Sequence, residues 1–184
     1  MLQTEIKRLN WGCGNHIKPG WINSDQNVRK VAENSLPCDI RQGIPLDSNS
    51  MDYVVSIHAL QEIPLDELVS VLSELRRVLK PGGVLRLCLP DLLKGIDAYR
   101  RGDRDYFQVP DSDAKSLGSK LVMQVLWYGY SRTVFTKEFI EERLLDSGFS
   151  RVRHCEYGKT DSEYPDIVEL DNREAESLFV EATK

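Results

Sequence analysis

A strand, a helix and a second strand follow one another closely between Tyr53 and Leu89, and this run restricts the fold more than any other. Tyr53-Val54-Val55-Ser56-Ile57 is rich in β-branched residues and reads as a buried strand. From about residue 65 to 79, Leu68, Val71, Leu72, Leu75, Val78 and Leu79 recur at three- and four-residue spacing, the period of a helix with one buried face. Pro64-Leu65-Asp66-Glu67 opens that helix with early acids, and Pro81-Gly82-Gly83 stops it. Residues 84–89 form a second buried strand. Two strands joined by a crossover helix pair in parallel, so the chain must contain at least a partly parallel sheet.

The rest of the chain extends this order. Residues 6–11 and 21–24 are short strands, and residues 91–101 a helix. Residues 102–114 are a polar loop, and residues 115–130 a helix with Leu117, Leu121, Val125 and Tyr128 on one face. Thr136 caps a helix running to Leu145 that Gly148 ends. Residues 151–157 and 177–182 are strands able to pair as an antiparallel hairpin. The expected fold is α/β: a doubly wound, mostly parallel sheet with an antiparallel C-terminal edge strand, in a three-layer sandwich.

The length, 184 residues, suits one domain, 1–184. No apolar run approaches the roughly 18 residues of a membrane span. Residues 1–10 alternate polar and apolar side chains without the apolar core of a signal peptide, so a cytoplasmic location and no membrane partner are expected. The net charge of -5 argues against a nucleic-acid partner. The basic pairs Lys7-Arg8, Arg76-Arg77, Arg100-Arg101 and Arg151 with Arg153 read as solvated faces. Cys13, Cys38, Cys88 and Cys155 show neither a C-x-x-C pair nor zinc-ligand spacing. They read as buried thiols, and no metal is expected.

Ligands of such sheets bind beyond the C-terminal strand ends. The first strand ends in Asn10-Trp11-Gly12-Cys13-Gly14-Asn15, where two glycines let the backbone turn tightly and approach a ligand. A dinucleotide site needs a third glycine three residues on, at a helix start. Ile17 stands there, and Pro19-Gly20 leaves no room for a pyrophosphate-binding helix, so a nicotinamide or flavin oxidoreductase is disfavoured.

Leu9-Asn10-Trp11-Gly12-Cys13-Gly14 resembles the first motif of class I S-adenosylmethionine-dependent methyltransferases. Pro19-Gly20-Trp21-Ile22-Asn23-Ser24-Asp25 is similar to a segment of one subgroup of that family, the small type 11-like enzymes. Met51-Asp52-Tyr53-Val54-Val55-Ser56-Ile57-His58 resembles the fourth-strand motif. Glu74-Leu75-Arg76-Arg77-Val78-Leu79-Lys80-Pro81-Gly82-Gly83-Val84-Leu85 is similar to the family's E-x-x-R-V-L-K-P-G-G-x-L. Ser177-Leu178-Phe179-Val180-Glu181-Ala182 resembles the subgroup's last strand.

The resemblance implies a Rossmann-like fold and S-adenosylmethionine as cofactor, with S-adenosylhomocysteine as its product. It places Gly12, Cys13 and Gly14 under the methionine portion, with Asn10, Asn15 and Gln26 also among the cofactor-binding residues. Asp25 would receive the ribose diol, although an N-cap or turn role is the competing reading. Asp39 and Ile40 would meet the adenine, or Asp39 is a loop acid. His58 would face the transferable methyl, or is a second-layer histidine. His58, Glu62 and Asp91, each following a strand at the active edge, are the candidate catalytic groups. An insert at about 102–133 would cover the acceptor side, with Tyr128 and Arg132 closing over the acceptor. The resemblance further implies a small-molecule or glycan acceptor. A non-catalytic cofactor-binding or scaffold protein on the same fold is the alternative.

Three departures from the family pattern bear on this. Asn15-His16 follows the glycines where a third small residue is usual. Only residues 15–20 lie between Gly14 and Trp21, too few for a crossover helix. Glu62 stands where the subgroup carries a second histidine. With the first strand starting near Ile6, the insert or a partner is expected to cover the cofactor.

Overall fold

The computed structural model describes residues 5–27 and 34–184. Among them, seven strands form one sheet: β1 (Arg8–Trp11), β2 (Ile22–Asp25), β3 (Ser35–Pro37), β4 (Met51–Ile57), β5 (Leu79–Pro90), β6 (Arg151–Cys155) and β7 (Ser177–Thr183). Their spatial order is β3-β2-β1-β4-β5-β7-β6. The five strands from β3 to β5 pair in parallel. β7 runs antiparallel to both β5 and β6, so the antiparallel part occupies one side of the sheet, with β6 at the rim.

Helix α1 (Leu68–Val78) is the crossover between β4 and β5. It buries Leu68, Val71, Leu72, Leu75 and Val78, the residues its period selects. α2 (Leu92–Arg101), α3 (Leu117–Leu126) and α4 (Lys137–Asp146) lie between β5 and β6. Asp91 caps α2 by accepting from the Leu93 N–H, and Thr136 caps α4 by accepting from the Phe139 N–H. α1 and α4 cover one sheet face, where Leu9, Val54, Leu85, Leu87, Val180 and Ala182 meet Leu72, Leu75, Ile140 and Leu144.

Local chemistry moves two expected boundaries and engages one expected surface charge. β5 begins at Leu79, the last residue of the expected helix, because Pro81-Gly82-Gly83 forms a bulge within the strand, between the Met51–Leu79 and Tyr53–Val84 pairs, and does not end it as a turn. A Cβ on Gly83 would sit 2.9 Å from the carbonyl oxygens of Asp52 and Lys80, so the bulge needs glycine there. The helix expected to reach Tyr130 ends at Leu126, since Trp127 and Tyr128 take left-handed φ values of 42° and 56° and turn the chain back toward β4. Arg77 is also no solvated cation. It donates to the carbonyls of Ile44 and Leu46 and to Glu74, which itself accepts from the Ile44 N–H, so α1 holds the β3–β4 connection.

The opposite face carries no helix between β1 and β2; residues 12–21 form turns. The β6–β7 connection crosses this face instead, and Tyr164 and Ile167 pack there with Trp21, Tyr53 and Val55. Trp21 and Tyr53 meet edge-on at 5.2 Å. Arg86, on β5, points the same way and is fully buried. Its Nε donates to Asp171 Oδ1 at 2.7 Å and its Nη1 to Glu181 Oε1 at 2.7 Å. Its other N–H groups reach the carbonyls of Lys159 and Glu156. One guanidinium therefore grips the connection at both ends. Arg86→Met should lower stability by about 3–5 kcal/mol, because two buried carboxylates lose their counter-charge. Thermal unfolding followed by circular dichroism checks this, with a Tm drop on the order of 10 °C.

Candidate active site

Two cavities open side by side at the C-terminal ends of the parallel strands. The first, of ≈ 300 Å³, is bordered by Trp11, Gly12, Asp25, Gln26, Asp39, Ile40, Ala59, Glu62, Pro64 and Arg132 among others. The chain leaves β1 by turning at Gly12 (φ 70°), whose N–H donates to the Ser24 carbonyl at 2.7 Å. A Cβ at Gly12 would fall 2.1 Å from the Cβ of Ala59, so only glycine lets the loop close on the β4 exit. Gly14 (φ 51°) has open space where its Cβ would point.

Asp25 ends β2 with both carboxylate oxygens engaged once. Oδ2 accepts from the Gly14 N–H at 3.0 Å and Oδ1 from the Asn27 N–H at 2.8 Å. Each oxygen keeps a further lone pair for an outside donor. Asp39 caps the short turn Ile40–Gln42 and is forked by the Arg41 guanidinium, which holds its carboxyl below the usual carboxylate range. Ile40 is buried at the cavity wall.

The first cavity thus brings together Gly12, Asp25, Gln26, Asp39 and Ile40 from three separate segments. Four other glycine-loop residues do not line it. Asn10 is buried and donates to His16 O and Asn23 Oδ1, so it braces the loop from within. The Cys13 thiol is buried, and burial pushes it up to about 11. Gly14 reaches the cavity only through Asp25, and Asn15 is exposed beyond it.

The second cavity, of ≈ 170 Å³, has an apolar wall of Leu92, Leu121, Val125, Trp127 and Val134. Its polar side carries His58, Gln61, Glu62, Asp91, Arg173 and Glu176. His58 lies here and not in the first cavity. Its Nδ1 faces the Arg173 guanidinium at 3.3 Å and must be the acceptor, since guanidinium only donates. Nε2 therefore carries the hydrogen and donates to Ser177 Oγ at 2.7 Å. Burial, reinforced by Arg173, holds the imidazole down to about 3, so it stays neutral. Asp91 spends Oδ1 on the α2 cap while lining the cavity. Tyr128 bonds Asp113 at 2.6 Å and lines neither cavity; Trp127 takes the inward place.

Glu62 lines both cavities. Burial, and then the Asp25 charge, raises its carboxyl above the ordinary range. Gln61 is buried, and its Oε1 has no partner among the described residues. Glu176 ties the long β5–β6 connection to the sheet, accepting from Gln108 at 3.1 Å and Gln124 at 2.8 Å.

Sequence reasoning missed Arg173 and Glu176. A signal existed: β7 is antiparallel, so the residues preceding it arrive at the same edge as the ends of the parallel strands. The place of Arg132 in the first cavity, and not over the second, carries no local signal at all. Among the described residues, no group of His, Cys, Asp and Glu could hold a metal ion, and no helix is long and apolar enough to cross a membrane.

A family model described as a methyltransferase domain matches residues 12–87. A demethylmenaquinone methyltransferase of Oceanobacillus iheyensis is 30% identical over 115 residues, 62% of this chain and 47% of that protein. One of Staphylococcus carnosus is 34% identical over 95 residues, 47% of this chain and 38% of that protein. The chain thus spans less than half the length of these two relatives. A SAM-dependent methyltransferase structure from Archaeoglobus fulgidus has a TM-score of 0.59 at 13% identity, covering 97% of this chain and 86% of that one. One from Mesorhizobium loti has a TM-score of 0.56 at 16% identity, covering 98% and 91%. Residues 12–87 thus resemble a methyltransferase domain, and the fold is that of SAM-dependent methyltransferase structures.

The two glycines should respond differently to alanine. Gly12→Ala combines a left-handed backbone with a clash and is expected to cost about 3 kcal/mol or more. Gly14→Ala meets open space and should cost only about 1–2 kcal/mol. Urea unfolding midpoints of the two variants give the comparison.

Proposed function

We propose that the protein transfers a methyl group from S-adenosylmethionine to a small-molecule or glycan acceptor. The observation that supports this most is the position of Glu62, which borders both cavities and so marks where cofactor and acceptor would meet. The first cavity suits the cofactor in its donor set. A carboxylate with spare lone pairs ends β2, a buried isoleucine lines the wall, and a glycine turn keeps the floor clear. When bound, the cofactor supplies a methyl already activated as a sulfonium. The protein's task is then mainly alignment.

Asp25 and Gln26 would hold the ribose, and Ile40 with Asp39 the adenine. In the second cavity the apolar wall would take an apolar part of the acceptor. The unpartnered Oε1 of Gln61 would receive a hydroxyl or amine hydrogen from it. The connection containing α3 and Trp127, the insert at about 102–133, would form the acceptor-side cover. Glu62 is the group best placed to take a proton from the acceptor, since its raised pKa brings it closer to neutrality. Neutral His58, with both ring nitrogens engaged, would instead fix the orientation of Arg173 at the cavity wall.

A non-catalytic binder on the same fold is the competing reading. The pairing of Asp39 with Arg41 favours it, because that carboxylate is already partly spent. Calorimetric titration with S-adenosylmethionine and S-adenosylhomocysteine tests the cofactor step, with NAD as control. Micromolar binding is expected, weakened at least about tenfold in Asp25→Ala. Absence of binding by a folded protein would defeat the proposal.

Once an acceptor is found, Glu62→Gln should reduce turnover by roughly 100-fold while S-adenosylhomocysteine affinity stays within about tenfold. The wild-type rate should rise with pH through a carboxylate midpoint above the ordinary glutamate value, because the ionised form is the base. A flat profile in that range would remove Glu62 from the role.

A further inference from the structure

We infer that Arg132 is the counter-charge for the carboxylate at the amino-acid end of the cofactor, an inference resting on the reading just proposed. The glycine loop is poorly equipped for that task. The N–H groups of Gly12 and Cys13 both donate to Ser24 O, at 2.7 and 3.1 Å. That of Gly14 goes to Asp25, and that of His16 to Cys13 O. No helix follows the loop before Trp21, so no row of free helical N–H groups points at an anion there.

Two guanidinium groups border the first cavity. Arg41 is taken by Asp39 at 2.7 Å, with Glu67 at 3.9 Å. Arg132 has no carboxylate within 4 Å among the described residues. Its position is fixed by a strap of backbone. The Arg132 and Thr133 N–H groups both donate to Gln61 O, at 2.7 and 3.0 Å, and Thr133 Oγ1 donates to Ile63 O at 2.7 Å.

The strap is also the wall between the cavities. Ser131, Thr133 and Val134 line the second cavity, while Arg132 lines the first. A methyl can reach the second cavity only from the end of the first that adjoins it. The sulfur carries the methyl and the amino-acid arm together, so the arm lies at that same end, beside Arg132. A guanidinium matches a carboxylate in charge and in forked geometry.

Calorimetry on Arg132→Gln and Arg132→Lys, each with a thermal unfolding profile, tests this against two ligands. S-adenosylhomocysteine carries the amino-acid arm, and 5′-methylthioadenosine lacks it. Arg132→Gln should weaken S-adenosylhomocysteine at least tenfold and leave methylthioadenosine within about twofold, with Lys retaining part of the affinity. Equal weakening of both ligands would overturn the inference, as the strap would then be merely structural. Unchanged S-adenosylhomocysteine affinity would overturn it too. Failure of the wild-type protein to bind either ligand overturns the cofactor reading, and this inference with it.

Discussion

The buried guanidinium of Arg86 is the contact on which one half of the molecule depends. The sheet face around Trp21 and Tyr53 lacks a crossover helix between β1 and β2, and a largely irregular connection lies there instead. Irregular backbone over a sheet leaves carbonyls in need of donors. Arg86 supplies them, bonding Glu156 O and Lys159 O while neutralising Asp171 and Glu181. Burying three charges costs several kcal/mol per ion, and the network offsets that cost only because nearly every N–H and oxygen finds a partner. Its value is then positional. Asp171 sits two residues before Arg173, which contacts His58, and five before Glu176, which holds Gln108 and Gln124. The same grip that closes the sheet face sets the polar wall of the second cavity.

His58 and Glu62 show how one short stretch separates two titrating groups. Burial acts on both, but with opposite consequences: it keeps the histidine neutral and favours the protonated glutamate. Arg173 reinforces the first effect and Asp25 the second. The imidazole stays an uncharged hydrogen-bonding group, and the Glu62 carboxyl is held above the ordinary glutamate range.

The parallel core was legible in the sequence because β4, α1 and β5 each carry a periodic signal over several turns or residues, and Gly12 and Asp25 stand in a motif of fixed spacing. The β5 bulge was hidden, since Pro81-Gly82-Gly83 reads equally as a helix stop or a bent strand start. Tyr128 was misplaced inward because helical period was extended through Trp127, where a left-handed turn breaks it. Arg77 was read as a surface charge, yet the carbonyls it serves lie far off in sequence, where no pattern announces them. Arg132 and Arg173 share that difficulty: their roles come from chain return, not local spacing.

The trimmed region between β1 and β2 connects these points. Without a helix there, the loop has no free amide row and the sheet face has no regular cover. Both duties pass to later parts of the chain, the cover to the β6–β7 connection and the exposed cation to the strap before α4. Each replacement is anchored to the elements nearest β4 and β5, through Arg86 in one case and the Gln61 carbonyl in the other. The central strands thus anchor both the cover of the sheet face and the strap that carries Arg132. One strap thus contributes consecutive residues to both cavities, Arg132 to the first and Thr133 and Val134 to the second.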